Sequence, residues 1–524
     1  MPATSEVMAT AYRRCADGDL PGAEQACLQV LRAEPRHAPA LHLLGVIANQ
    51  GGRNDLAVEW IRQAIILNPN NPDAYFNLGV ACRPLDRLDE SIAAYRRALQ
   101  LNPSFVSGHS NLIYTLHFHP AYDPSMVAEE RQRWNLRFGE PLKRLILPNA
   151  NERGMDRRLR IGYVSPDFRD HVVGRNLLPL FERHDPQRYE IFCYAGVMRP
   201  DQLTDKFRQR AQQWRSTVGV SDEELAGMIR RDGVDILVDL TQHMEGNRLS
   251  MFARKPAPIQ VSFAGYPEST GLEAIEHRIS DRFLEGGSAD VRTGRKEQVH
   301  LIDSFWCYDP CGDDVEVNRL PALESGTITF GCLNNFCKVN ERVLSLWARV
   351  LGKVADSRLV LLSRVGRHRQ RTLEALERSG IEKQRVEILD FRPRREYLEL
   401  YHRLDIVLDT FPYNGHTTSL DALWMGVPVV SLVGNTPVSR AGLSQLTNLG
   451  LPELAAHSES EYVSIAESLA RNLPRLAELR SALRARMKNS VLMDAARFTR
   501  QVENAYREMW QAWRLGREIA KDEG

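Results

Sequence analysis

Small and apolar residues recur along the first part of the chain at a fixed interval. Pro35, Pro69 and Pro103 stand 34 residues apart, and so do Gly45 and Gly79, Ala23, Ala57 and Ser91, and Ala64 and Ala98. Small residues let paired helices approach closely, and proline stops one helix before the next begins. The pattern therefore predicts about three stacked helical hairpins over residues 1–115, the cleanest running from Asn71-Pro-Asp-Ala-Tyr-Phe-Asn-Leu-Gly79 to Leu101-Asn-Pro103. It decays through His117-Phe-His-Pro-Ala-Tyr-Asp-Pro124 into a helical stretch, Met126 to Phe138, and a polar linker, Pro148 to Arg158; residues 116–157 read as a helical linker.

Beyond Arg158 the pattern changes to apolar runs of strand length alternating with amphipathic segments. Leu159 to Val164, Tyr189 to Tyr194, Val234 to Leu240 and Ile259 to Phe263 read as strands, and Glu223 to Arg231 as a helix. A break with Pro310, Gly312 and Pro321 precedes a second set: strands Ile328 to Cys332, Arg358 to Leu362, Val386 to Leu389, Ile406 to Leu408 and Val429 to Leu432, with helices Arg342 to Leu351, Arg367 to Arg378 and Glu396 to His402. Ser460 to Arg486 and Phe498 to Ile519 read as terminal helices. Alternation of this kind builds parallel sheets covered by helices. The expected fold class is α + α/β: helical repeats of the tetratricopeptide period, then two Rossmann-like α/β domains over 158–315 and 316–524 with a cleft between them.

Composition narrows the function. With 524 residues, 43% hydrophobic and 26% charged residues, and a net charge of +1, the chain resembles an ordinary multidomain soluble protein, with no global field suited to nucleic acid or an anionic membrane. No apolar run reaches membrane-spanning length and the start lacks a signal-peptide pattern; eight scattered cysteines fit reduced thiols, so a cytoplasmic location is expected. There is no GxGxxG fingerprint and no Walker loop, and the one Asp-x-Asp, Asp17-Gly-Asp19, falls in a repeat turn; neither a metal nor a bound cofactor is expected.

The richest stretch is Asp409-Thr-Phe-Pro-Tyr-Asn-Gly-His-Thr-Thr-Ser-Leu-Asp421. It reads as a strand, a tight loop and a helix opening on Thr417 and Thr418. A helix start offers unpaired N–H groups and about half a positive charge, which suits a phosphate-bearing ligand. Asp421, one turn in, is placed to hold sugar hydroxyls, and His416 lines the same site. Lys338 follows a strand end and supplies a cation for a diphosphate. His171, in Ser165-Pro-Asp-Phe-Arg-Asp-His171, is a candidate base or sugar ligand after the first strand of the first domain, and His243 a second candidate for the cleft.

Leu159-Arg-Ile-Gly-Tyr-Val-Ser-Pro-Asp-Phe168, Arg254-Lys-Pro-Ala-Pro-Ile-Gln260, Gly265-Tyr-Pro267, Thr329-Phe-Gly331 with Asn334 to Lys338, and Leu408 to Thr418 together resemble the bacterial O-linked N-acetylglucosamine transferases, and the chain is also similar to the SPINDLY-type protein O-fucosyltransferases. The resemblance, covering nearly the whole chain, implies tetratricopeptide repeats joined to an inverting GT-B catalytic region. It implies that Lys338 binds the diphosphate and assists its departure, that Asn335, Arg394, Tyr397, His416, Thr417, Thr418 and Asp421 bind the donor, and that His171, His243 and Tyr266 lie on the acceptor side. Asn77 and Asn111, 34 apart, stand where related repeats grip the acceptor backbone, but the preceding equivalent is Leu43. Two positions depart from the family: Tyr397 replaces a base-stacking histidine, and Asn335 a longer glutamine. Presence of His416 and Asp421 points to UDP-N-acetylglucosamine, while Asn334-Asn335 and Phe411-Pro-Tyr413 are closer to the SPINDLY side and keep GDP-fucose as the alternative. The base stays open among His171, a water chain and the donor phosphate. Rival readings are an inactive repeat scaffold and a transferase for lipid or small glycan acceptors; the repeats favour proteins or peptides as partners.

Overall fold

The structure, a computed structural model, describes residues 3–149, 151–152, 154, 157–286, 297–312 and 314–522. Its opening helices are α1 (Thr4–Ala16), α2 (Leu20–Ala33), α3 (Ala38–Gln50), α4 (Asn54–Leu67), α5 (Pro72–Cys82), α6 (Leu88–Leu101), α7 (Val106–Leu116) and α8 (Pro124–Trp134). A first alternating series holds β1 (Leu159–Ser165), α9 (Val172–Arg183), β2 (Tyr189–Ala195), α10 (Gln202–Arg210), β3 (Gln213–Ser216), α11 (Asp222–Asp232), β4 (Ile236–Asp239), β5 (Ile259–Ser262), β6 (His277–Asp281) and β7 (Gln298–Ile302). The second holds β8 (Thr329–Cys332), α12 (Glu341–Lys353), β9 (Arg358–Leu362), α13 (Arg367–Arg378), β10 (Val386–Leu389), α14 (Arg394–Glu399), β11 (Ile406–Leu408), α15 (Thr417–Trp424), β12 (Val429–Leu432), α16 (Ala441–Asn448) and β13 (Ala455–Ala456). Helices α17 (Glu459–Arg471), α18 (Leu473–Lys488) and α19 (Ala495–Asp522) follow. None of the helices among the described residues is long and apolar enough to cross a membrane.

The chain divides into two compact units that cut across its linear order: Met1–Ala121 with Cys332–Phe391, and Tyr122–Gly331 with Arg392–Gly524. In the first unit α1 to α7 form the repeat hairpins, and β9 and β10 pair in parallel. The 34-residue recurrence of glycine has a steric cause: a Cβ on Gly45 would stand 2.3 Å from Ile61, and one on Gly79 2.6 Å from the Tyr95 ring. Ser91, at the small-residue position of the next helix, donates its hydroxyl to the Gly79 carbonyl at 2.7 Å.

In the second unit β1 to β7 form a parallel sheet in the order β3-β2-β1-β4-β5-β6-β7. Val164 pairs with Asp239 and Asp239 with Ser262, so the carboxyl ends of β1, β4 and β5 lie level and their loops leave from one edge. β8, β11, β12 and β13 pair in parallel in that order. The last helix returns to the first α/β domain through a buried polar chain. Glu503 on α19 accepts from His184 Nδ1 and the Asp185 amide, both at 3.0 Å, and Tyr163 OH lies 2.7 Å from His184 Nε2 and 3.1 Å from Tyr506 OH.

Several expectations need correction. The helix expected over Met126 to Phe138 ends at Trp134 and widens into a π turn, Asn135–Gly139, where Asn135 Oδ1 accepts from the Glu273 amide at 3.2 Å. The tail helix splits at Asn472, which caps α18 by accepting from the Arg475 amide ahead of a first turn that holds Pro474. Helix α14 starts two residues earlier than expected and tightens into a 3₁₀ turn at Leu400–Arg403. Strands β3, β6, β7 and β13 were not read from the sequence. β6 is buried throughout although it runs His-Arg-Ile-Ser-Asp, because Arg278 pairs with Glu285 and Glu297 and His277 lies 3.1 Å from His300. The linker over 148–158 lies partly outside the described residues.

Glu503→Ala removes the acceptor of two buried donors, a loss of about 2 kcal/mol. Differential scanning calorimetry of the full chain is expected to show a thermal midpoint lower by about 2–3 °C, and Glu503→Gln, which keeps an acceptor oxygen, less than half that shift; a midpoint indistinguishable from wild type for Glu503→Ala would contradict the role given to this chain.

Candidate active site

At the carboxyl end of β11 the chain must turn from a fully buried strand into α15 within eight residues, and Asp409 holds that turn. Its Oδ1 accepts from the amides of Thr410 at 2.8 Å and Gly415 at 2.6 Å, and its Oδ2 from the Ser431 hydroxyl on β12 at 2.7 Å. Asn414 Nδ2 donates to the Thr410 carbonyl at 2.8 Å, and the Thr410 hydroxyl to the Tyr413 carbonyl at 2.8 Å. The Phe411–Pro412 peptide is cis. The loop is thus closed on itself, and its last residue, His416, is the N-cap of α15.

No side-chain oxygen caps α15. Its first turn carries three hydroxyls in a row, Thr417, Thr418 and Ser419, and the helix start directs partial positive charge the same way. Ser419 Oγ is buried and has no hydrogen-bond partner among the described residues. An orphaned buried hydroxyl beside an uncapped helix start fits a polyanion such as a diphosphate. The His416 ring packs against Tyr413, 4.8 Å between centroids, and Trp306, 5.2 Å, and its carbonyl accepts from Gln445 Nε2 at 3.1 Å. From α9, Asn176 Nδ2 donates to Thr417 Oγ1 at 2.9 Å.

One turn into α15, Asp421 is 2% exposed. Its carboxylate takes both terminal nitrogens of Arg394, at 2.7 and 2.6 Å, and the Tyr308 hydroxyl at 2.8 Å. Burial alone would lower the Arg394 pKa, and the Asp421 hydrogen bonds and charge more than reverse it. The guanidinium lies 5.5 Å from the Tyr397 ring centroid; Tyr397 OH is 2.8 Å from Tyr401 OH, which donates to the Thr418 carbonyl at 2.9 Å. The sequence expectation had Asp421 and Tyr397 meeting the donor directly. In the structure both are buried, and Asp421 fixes Arg394 beside the helix start.

On the first α/β domain His171 is the N-cap of α9, its Nδ1 accepting from the Val173 amide at 3.3 Å and standing 3.4 Å from Asp167 Oδ1. Burial lowers its pKa below the ordinary 6.5, against the pull of Asp167, so the ring is neutral near pH 7. The other two acceptor-side candidates lie deeper. His243 and Tyr266 are both 0% exposed. His243 Nε2 lies 2.6 Å from the Thr270 carbonyl and its ring meets Trp134 edge-on at 5.5 Å. The Tyr266 backbone is clasped by Gln242, whose Nε2 donates to its carbonyl at 2.6 Å and whose Oε1 accepts from its amide at 2.8 Å. Gln242 itself has φ of 51°, and Asp239, fully buried beneath it, accepts from the Thr241 and Gln242 amides at 3.1 and 3.0 Å while burial raises its pKa to about 7. His243 and Tyr266 therefore build the floor of these loops and present no surface to an acceptor.

In the first unit Lys338 ends a 3₁₀ turn, Phe336–Lys338, and is half-buried. Asn335 is exposed, and its Oδ1 caps the turn by accepting from the Cys337 amide at 3.4 Å. The turn Arg83–Leu85 of the repeats packs against it. Asn77 Nδ2 lies 2.9 Å from His42 Nε2, while Asn111 is buried, accepts from Arg83 at 3.4 Å and donates to the Ser107 carbonyl at 3.0 Å. The expected asparagine ladder is engaged within the repeats at both positions. Asn176, Tyr308, Gln242 and Asp409 escaped the sequence reading as site residues; of these only Asp409 sat inside a stretch singled out by its pattern.

Comparison with known proteins gives this arrangement its context. Residues 143–291 and 316–502 match the model of glycosyl transferase family 41, and residues 45–83 and 72–105 match models of the tetratricopeptide repeat. A SPINDLY protein of Petunia hybrida, described as a probable UDP-N-acetylglucosamine–peptide N-acetylglucosaminyltransferase, is 39% identical over 69% of this chain and 40% of its own length. The SPINDLY protein of Oryza sativa subsp. japonica is 38% identical over 78% of this chain and 44% of its own, and the SEC protein of Arabidopsis thaliana 31% over 70% and 38%. The chain thus spans about two fifths of the length of these curated relatives. A solved structure of a lysine-to-methionine variant of the Thermobaculum terrenum O-GlcNAc transferase superposes with a TM-score of 0.91 at 35% identity, covering 97% of this chain and 98% of that one. The chain belongs to glycosyl transferase family 41.

Proposed function

We propose that the chain is an inverting protein glycosyltransferase that moves N-acetylglucosamine from UDP-N-acetylglucosamine to serine or threonine hydroxyls, working in the cytoplasm and without a metal. The observation that carries this reading is the uncapped start of α15, held by Asp409 and lined by Thr417, Thr418 and the orphaned Ser419 hydroxyl. Family membership and the names of the SPINDLY and SEC relatives support the same chemistry. The acceptor oxygen attacks the anomeric carbon from the face opposite the nucleotide. The bond from that carbon to the diphosphate oxygen breaks, its electron pair leaves with the diphosphate, and the hydroxyl proton passes to a base.

Charge grows on the leaving diphosphate, so donors aimed at it lower the barrier more than they tighten the ground state. The helix start of α15 is one such group, and the family resemblance gives Lys338 the same task. His416, wedged between Tyr413 and Trp306, borders the sugar phosphate. Arg394, held by Asp421, and Tyr397 border the nucleoside. Asn335 supports the lysine turn. The neutral state of His171 suits a base, but the Val173 amide already uses Nδ1 as an acceptor, which favours a neutral ring protonated at Nε2. That arrangement makes His171 a donor toward the substrate and leaves a water chain or the donor phosphate to take the proton. The repeats present the acceptor polypeptide; the half-buried Asn77 is better placed for this than the buried Asn111.

GDP-fucose is the rival donor, kept open by the SPINDLY-like Asn334-Asn335 and Phe411-Pro-Tyr413. Incubating the purified full chain with either donor and a mixture of acceptor proteins, followed by intact-protein mass spectrometry, separates the readings. Addition of one N-acetylhexosamine mass from the UDP donor is expected; a deoxyhexose mass from the GDP donor would transfer the reading to fucose, and no mass change or donor turnover with either would favour a scaffold. In the same assay Lys338→Met should lower kcat by about 10²–10³-fold, the scale of losing one oxyanion donor; a loss below threefold would remove Lys338 from the leaving-group site. Because the His171 pKa lies below 6.5, the ring is already neutral above that pH, and kcat/KM should stay level from pH 8 to 6.5 and fall only at lower pH if His171 must be neutral. A limb above pH 7 that disappears in His171→Asn would contradict the lowered pKa.

A further inference from the structure

Asn176 reaches from α9 of the first α/β domain to the first residue of α15, 241 positions away in sequence, and donates from Nδ2 to Thr417 Oγ1 at 2.9 Å. Thr417 is 6% exposed, and its hydroxyl makes no other hydrogen bond among the described residues. An amide nitrogen can only donate. A hydroxyl oxygen that accepts from it keeps its own hydrogen for a different partner, whereas an untethered threonine hydroxyl in a first helical turn rotates among staggered wells and turns its hydrogen away from a ligand in some of them. We propose that Asn176 is a positioning residue for the nucleotide sugar: it fixes the Thr417 hydroxyl as a hydrogen-bond donor toward the diphosphate and so links the first domain to donor binding. This rests on the reading of the α15 start as the diphosphate site.

The geometry gives the proposal a sign as well as a size. Asn176→Ala frees the hydroxyl. Asn176→Asp inverts it, since a carboxylate accepts the Thr417 hydrogen and sets a negative charge beside the bound phosphates. Asn176 is half-buried on one face of a twelve-residue helix, a position where alanine is a good helix former.

The test is calorimetric titration of UDP into the full-length wild type, Asn176→Ala, Asn176→Asp, Thr417→Ala and the Asn176→Ala/Thr417→Ala double variant, and of GDP into wild type, with donor KM and kcat for the same set and thermal midpoints without nucleotide. Expected are a loss of UDP affinity of about three- to tenfold for Asn176→Ala and at least tenfold for Asn176→Asp. The donor KM should rise by similar factors while kcat changes less than threefold, and Asn176→Ala should cause no further loss once Thr417 is alanine. Midpoints without nucleotide should stay within about 2 °C, which separates the effect from a merely structural one. Wild type that binds UDP while Asn176→Asp binds it equally, or a full second loss in the Thr417→Ala background, would overturn the positioning role and leave the diphosphate site standing. Wild type that binds neither UDP nor GDP would overturn both.

Discussion

A single buried carboxylate holds the candidate site in shape. Asp409 closes the loop after β11 through two backbone amides and ties it to β12 through the Ser431 hydroxyl. Its own burial is tolerable because each oxygen is met by a donor: two backbone amides at one, a serine hydroxyl at the other. The loop thereby delivers α15 with no side-chain cap at its amino terminus, which leaves amide donors of the kind that suit an anion.

The second constraint is the ion pair of Asp421 and Arg394. Removing two opposite charges from water is costly, and bidentate geometry with a tyrosine hydroxyl on the same carboxylate offsets much of that cost. Its structural effect is specificity of position: the guanidinium is set beside the Tyr397 ring, and the tyrosine pair beyond it reaches the Thr418 carbonyl at the helix start. Asp421 therefore orients the neighbours of the helix start, holding Arg394 and the Tyr308 hydroxyl in place.

The sequence made the repeats and most strands legible because steric and apolar demands leave regular marks. Gly45 and Gly79 stand 34 residues apart where helices touch, and β1, β2, β4, β9, β11 and β12 are mostly buried apolar side chains. β6 left no such mark, since its buried His277 and Arg278 are matched by partners on other segments and not by their own pattern. The helix start at Thr417 was legible from the loop preceding it. The partners that define it were not: Asn176 and Tyr308 lie 241 and 113 residues from the side chains they bind, and nothing local distinguishes them. His243 was drawn into the acceptor surface by its place after a strand end, and Tyr266 by the resemblance, but a strand end fixes where a loop leaves and not which side chains it turns inward. Gln242 makes that choice here, folding its amide back onto the Tyr266 backbone.

If the amino terminus of α15 is what grips the donor, affinity must reside in the phosphates. Titrating uridine, UMP and UDP into the full chain under one buffer measures this directly. Affinity for UDP at least about a hundredfold above that for uridine, with UMP between them, is the result predicted here; equal affinity for uridine and UDP would show that the nucleoside carries binding and that the helix start does not hold a diphosphate.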